Sequence, residues 1–294
     1  MMTGRRSAYM AGLAKYRRFM LLCLVPGMIC LVCPLLSGAQ ELYVFSEPAS
    51  NMPARSISFK VTGRYPNSKH NDYFKQRYVP EVMFGLSKNW MLHISAGISN
   101  YYSNNVRPES FRGYLKWRFL SNDEVHRHFR MAAFVEASRS RNDYLYEEFT
   151  LDGDLSGLQF GLIATQLVNR LAVSGTAGFM QGLTSMESHH GVHDKDLSML
   201  TYSASAGYLV FPREYTDYKQ TNLNIYLEFL GSNGLGHEHY FIDIAPAVQL
   251  IFNSTSKLNL GARFQLAGNM VRVGEQTYQF SIEHTILNAF RKRR

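Results

Sequence analysis

The chain has 294 residues, 46% of them hydrophobic, 13% aromatic and 18% charged, with a formal net charge of +8. Its excess charge sits at the two ends, in Arg5, Arg6, Lys15, Arg17 and Arg18 and in Arg291, Lys292, Arg293 and Arg294, so the body is nearly neutral and lacks the clustered basic face of a nucleic-acid-binding protein. All three cysteines, Cys23, Cys30 and Cys33, precede position 40, which excludes a disulfide framework or a cysteine metal site from the remainder.

Residues 1–39 carry no Asp or Glu, and their basic start leads into an apolar run from Phe19 to Leu36. Ser37 and Ala39 then place small residues at the minus-three and minus-one positions of a cleavage site, the layout of a signal peptide. A retained membrane anchor is the alternative, but it needs about 20 apolar residues, and Pro26 and Pro34 interrupt this run. Cys33 follows Leu31 and Val32 rather than the small residue expected before a lipidated cysteine. The sequence therefore predicts a mature chain starting at Gln40, with 26 basic against 23 acidic residues and a net charge of +3. Residues 40–54 are expected to form a short periplasmic N-terminal segment, within which Pro48, Ala49, Ser50 and Asn51 read as a polar linker.

From Ser56 onward the dominant hydrophobic period is two, recurring about every 20 residues. Ile57, Phe59 and Val61 alternate with Ser58, Lys60 and Thr62, and Leu115, Trp117 and Phe119 with Tyr114, Lys116 and Arg118. Later runs repeat the pattern: Leu223, Ile225, Leu227 and Phe229; Leu258, Leu260, Ala262 and Phe264; Tyr278, Phe280 and Ile282. Predicted strands cover 55–65, 77–87, 90–102, 110–120, 129–139, 155–167, 171–182, 197–211, 221–231, 239–252, 258–268 and 276–290. The expected fold class is all-β, an antiparallel up-and-down transmembrane β-barrel of about twelve strands over 55–290, followed by a basic tail at 291–294.

Loop lengths set the sidedness, because such barrels alternate short periplasmic turns with longer outside loops. Short turns are predicted at 87–89, 168–170 and 253–257, and long outside loops at 140–154 and 182–195; the periplasmic connections 121–128 and 212–220 are longer than the pattern expects. A soluble β-sandwich would also alternate. The membrane reading is favoured by aromatic residues near strand ends, including Tyr65, Tyr78, Trp90, Phe129, Phe211, Tyr240 and Phe252, and by Phe290 close to the C-terminus. The tail after Phe290 departs from the usual terminal aromatic.

The runs from Ser46 to Ser56, Ser121 to Phe134 and Tyr240 to Ser254 together resemble an outer-membrane β-barrel family of Bacteroidota. The resemblance spans nearly the whole mature chain. It implies an outer-membrane location and transfers no catalytic or ligand residues.

Inward-facing positions of the predicted strands carry Lys60, Arg64, Arg112, Lys116, Arg118, Arg130 and Arg263 with Glu81, Glu136, Glu228, Asp243 and Glu283. In an open lumen such a set tunes which solutes pass; in a narrow one the same side chains pair and close it. Lys60, Arg112, Lys116 and Arg118 suggest a basic track for anions. An outside loop gathers His189, His190, His193 and Asp194, a donor set for zinc, copper or nickel that His237 and His239 of the next outside loop would extend; a solvated His-rich loop is the commoner reading of the same residues. His93 with Glu81, or His284 with Glu283, are pairs without a nucleophile motif, so no enzyme is predicted and no cofactor is implied. The expected function is a passive, monomeric outer-membrane channel or transporter component for small solutes, whose partners are outer-membrane lipid and the barrel-assembly machinery. The alternative is a non-conducting surface barrel with adhesive or metal-capturing loops.

Overall fold

Twelve strands succeed one another as an antiparallel meander, and the last pairs with the first. The computed structural model describes residues 43–67, 74–183, 197–213, 219–236 and 238–290. Among these the strands are β1 (Ile57–Asn67), β2 (Arg77–Gly85), β3 (Trp90–Ser99), β4 (Arg107–Asp123), β5 (Arg127–Ser140), β6 (Ser156–Val168), β7 (Leu171–Leu183), β8 (Ser198–Phe211), β9 (Asn222–Gly234), β10 (Tyr240–Phe252), β11 (Ser256–Gly268) and β12 (Gln276–Ile286). β1 bonds to both β2 and β12, closing the barrel. Closure removes the free sheet edges whose unpaired N–H and C=O groups hydrocarbon would not tolerate.

The period-two pattern decides which face points where. On β9, Ile225, Leu227 and Phe229 are exposed while Asn224, Tyr226 and Glu228 are buried; on β6, Leu158, Phe160 and Leu162 are exposed while Ile163 and Thr165 are buried. Repeated around the barrel, this makes an outer belt of large apolar side chains and an inner face of polar ones. A belt of that extent far exceeds the apolar patches of soluble monomers, so it requires lipid and excludes the sandwich. Trp90, Phe211, Tyr240 and Phe252 stand exposed at strand ends, and Trp90 stacks on Trp117 with ring centroids 5.8 Å apart.

Short connections gather at the end where the chain joins β1. Val168 and Leu171 pair directly across a two-residue turn whose Asn169 has φ 52°, and Asn253 (φ 51°) and Ser254 (φ 56°) turn β10 into β11. Asn tolerates this left-handed region better than most side chains. The long connection expected at 121–128 does not form. Instead β4 and β5 run on as a polar hairpin, in which Arg130 donates to Asp123 from Nε at 3.1 Å and from a terminal nitrogen at 2.9 Å. Those residues lie beyond the apolar belt, so they lack the alternation by which the other strands were found. The final strand is also shorter than predicted, ending at Ile286; Phe290 lies in the turn that follows and stacks against Phe84 at 6.5 Å. The leader, the basic tail, and the histidine-rich loop with His189, His190, His193 and Asp194 lie outside the described residues, as does His237.

Candidate functional site

The interior of the barrel is built around charges that strand pairing alone does not satisfy. Glu228 on β9 has Ser205 and Ala245 as cross-strand neighbours, and Lys116 on β4 has Met91 and Phe134. Both side chains are fully buried. Burying an unpaired charge is costly enough that a partner must come from elsewhere in the chain.

That partner is the segment Tyr43–Pro53. Expected as a periplasmic lead-in, it runs inside the barrel along the inner wall. Glu228 accepts from the backbone N–H groups of Val44 and Phe45, each at 2.9 Å, and of Ser46 at 2.8 Å, and from Ser46 Oγ at 2.6 Å. Lys116 Nζ donates to Glu47 Oε2 at 3.0 Å and to the carbonyls of Pro48 and Ser50 at 2.8 and 3.0 Å. Gln279 donates to Val44 O, the Ala49 N–H donates to Thr165 Oγ1, and Arg130 donates to Ser50 Oγ. The segment leaves past Gly85, where a Cβ would lie 2.1 Å from Pro53 O. Only glycine allows that approach. We call this segment the strap.

From the opposite end, the β5–β6 connection, residues 141–155, folds inward. Phe149, Leu151 and Leu155 pack with Met180, Leu197, Met199, Phe241 and Met270. Three acidic residues stitch the loop to the wall. Asp152 pairs with Arg64 and Arg112, each at 2.5 Å; Asp154 pairs with Arg77 at 2.6 Å; Glu148 pairs with Arg263 at 2.6 Å and with Arg272. Gly153, at φ 150°, lies against the Arg77 guanidinium, where a Cβ would be 3.2 Å from it. Burial pushes the Glu148 carboxyl up, but its two arginines outweigh burial and hold it near about 2. Asp152 is likewise held well below the usual range: burial opposes the charge, and Arg112 and Arg64 prevail.

Strap and loop enclose a chamber of about 330 Å³. Lys60, Arg64, Arg112 and Arg263 line it with Glu81, Glu136 and Glu148. Arg112 reaches Glu81 at 2.6 Å and Glu136 at 3.4 Å in addition to Asp152, and Lys60 lies directly across strands from both Glu81 and Glu283. Asp243 is buried between Arg263 and Arg272, with an Arg272 nitrogen at 2.7 Å. Glu283 accepts from Lys257 at 3.1 Å and from Ser58 Oγ at 2.7 Å. Arg118, near the short-turn end, donates to Lys88 O.

The basic track suggested by Lys60, Arg112, Lys116 and Arg118 is therefore not an open path for anions. Lys116 holds the strap and Arg112 holds carboxylates. His93 and Glu81 do come together, with Nδ1 at 3.7 Å from Oε2, whereas His284 and Glu283 point to opposite sides of the sheet. Sequence reasoning missed Arg77, Glu148, Asp152, Asp154 and Arg272. The acidic run of the 141–155 connection, set against an excess of inward arginines, was the available signal.

No protein-family model matches the sequence, and no curated protein is significantly similar to it. Among solved structures, the chain resembles an outer membrane channel from Pseudomonas putida, with TM-score 0.54 and 11% identity over 83% of this chain and 100% of that one. It also matches the KdgM porin (TM-score 0.43, 10% identity, 78% and 98% covered) and the β domain of the Bordetella autotransporter BrkA (0.45, 11%, 79% and 99%). The first likeness is one of fold. Together with the closed barrel and its apolar belt, it makes this chain a porin-like β-barrel of the outer membrane.

Proposed function

We propose that this protein is a passive outer-membrane channel for small solutes, held in a restricted state by the strap and the inward loop. The observation that carries this reading is the charge-lined chamber inside a closed twelve-stranded barrel. A barrel of this size lies between small barrels filled by their side chains and open porins. Here loop and strap fill the lumen. In this reading the leader is cleaved after Ala39 and the assembly machinery inserts the barrel as a monomer. The likeness to a Bacteroidota family agrees with the location and assigns no solute.

The test is single-channel recording from folded, heat-modifiable protein in planar bilayers. Small unitary currents support the channel; no current from wild-type protein or from a variant with the strap deleted overturns it. Double filling of the lumen favours one second reading, a non-conducting surface barrel, and that null result would establish it.

A further inference from the structure

Two carboxylates of the inward loop are gripped in the same way. Asp152 gives one oxygen to Arg64 and the other to Arg112, each at 2.5 Å. Glu148 gives Oε1 to Arg263 at 2.6 Å and Oε2 to Arg272. Each carboxylate is thus held at both oxygens by two guanidiniums, an arrangement that matches its charge and both of its acceptor atoms. Arg64, Arg112 and Arg263 stand on β1, β4 and β11, and Arg272 on the connection from β11 to β12. The clamps therefore belong to the barrel, while their occupants come from a loop.

Arginine stays charged at any ordinary pH, so a clamp emptied by movement of the loop holds positive charge that needs an anion. The wall supplies only part of it. Arg263 and Arg272 share Asp243 and Arg112 keeps Glu81 and Glu136, whereas Arg64 keeps only the neutral Gln279 among the described residues. The clamps are also within reach of a solute: Arg64, Arg112 and Arg263 leave 27, 16 and 18% of their side-chain surface open, and all three line the chamber with Glu148 and Asp152. Glu148 and Asp152 lie four positions apart on one loop, and the chamber of about 330 Å³ is at the lower end of small-molecule sites. Two clamps on one small chamber suit a short molecule with a carboxylate at each end.

We infer that the two arginine clamps form a binding site for a short dicarboxylate, that Glu148 and Asp152 occupy it as tethered stand-ins, and that the solute binds by taking their places and loosening the loop. The site rests on the channel reading for how the solute arrives, and it deepens that reading, since the restricted state then yields to its own solute. A tethered group competes at an effective concentration on the order of millimolar, so the wild-type site answers only to solute supplied at about that level.

The test is calorimetry at pH 7 on detergent-solubilised full-length barrel, with succinate, glutarate, adipate and pimelate as a length series, acetate as the single carboxylate and 1,5-pentanediol as the neutral control. Glu148→Ala combined with Asp152→Ala vacates both clamps. One length of the series is expected to bind this variant at least tenfold tighter than wild type and at least tenfold tighter than acetate, and the diol not at all. Adding Arg64→Gln should cancel most of the gain. If the alanine pair does not fold, Glu148→Gln with Asp152→Asn keeps the side-chain shapes without the charges, and the same tenfold gain is expected of it. In wild type, saturating dicarboxylate should accelerate hydrogen exchange at the Glu147 and Glu148 amides, which bond to Val271 O. No dicarboxylate binding to the vacated site, equal affinity in wild type and variant, acetate or diol binding as tight as the best dicarboxylate, or unchanged exchange at those amides overturns the inference. A conducting protein whose vacated clamps bind no dicarboxylate sinks this site and leaves the channel; a non-conducting one that binds it sinks the channel and leaves the site.

Discussion

Glu228 concentrates the energetics of the interior in one carboxylate. Three successive backbone N–H groups and the Ser46 hydroxyl converge on it, and hydrogen bonds to a charged acceptor contribute roughly 1.5–3 kcal/mol each. Replacement by Ala removes all four while the strand ladder of β9 remains. Glu228→Ala should therefore free the strap without unfolding the barrel: unitary conductance rises several-fold, and the Ser46–Asn51 stretch becomes sensitive to protease. Glu228→Gln retains one acceptor oxygen and should fall between. Wild-type conductance and protection in Glu228→Ala would mean that the strap is held by its other contacts. Lys116 is the second anchor. Lys116→Met keeps the stem packing and loses three acceptors, so pairing it with Glu228→Ala should give more than either change alone.

At the scale of elements, the inward loop and the strap are held by different chemistry. The loop is latched by ion pairs, so it should answer to pH. A carboxyl depressed from 4.5 to about 2 adds stability that is fully present above the unfolded value and lost as pH falls through the folded one. Glu147 and Glu148 also donate their N–H groups to Val271 O at 2.9 and 3.3 Å, which gives direct reporters. Hydrogen exchange at these two amides should stay slow from pH 7 down to about 4 and accelerate, relative to the intrinsic rate, only toward pH 2. Opening already near pH 5 would show that the arginine latches do not hold the loop.

This difference also explains what could be read from sequence. The strands were legible because lipid on one side and a polar interior on the other impose strict alternation: Ile225 to Phe229 and Leu258 to Phe264 need no tertiary information. The same parity gave the expectation of twelve inward charges. Their partners did not. Asp152 meets Arg64 and Arg112 across 88 and 40 positions of chain, Glu228 meets Ser46 across 182, and no periodicity encodes such meetings. For the strap the hint was that Glu228 and Lys116 lack charged cross-strand neighbours, which registers as meaningful only once the strand pairing is known.

At the scale of the whole molecule, the apolar side is outside and the charged side inside, so lipid-facing and inner substitutions should fail differently. Leu162 lies at the middle of β6, exposed to lipid between Ala133 and Ala177 on the neighbouring strands. An arginine there meets hydrocarbon near the bilayer midplane and should cost about 2–4 kcal/mol. Leu162→Arg is therefore expected to lower the folded, heat-modifiable fraction in lipid vesicles and to shift the urea midpoint downward. Deleting residues 43–52 removes no strand pairing, since the strap bonds to the wall through side chains and first meets the sheet backbone at Arg55 and Gly85. That deletion should keep heat modifiability, lose part of the urea stability and raise conductance. The two variants together test the division of labour. Were the deletion to abolish folding while Leu162→Arg inserted normally, stability would reside in the filled interior and not in the lipid-facing belt, and the channel reading would lose its structural basis.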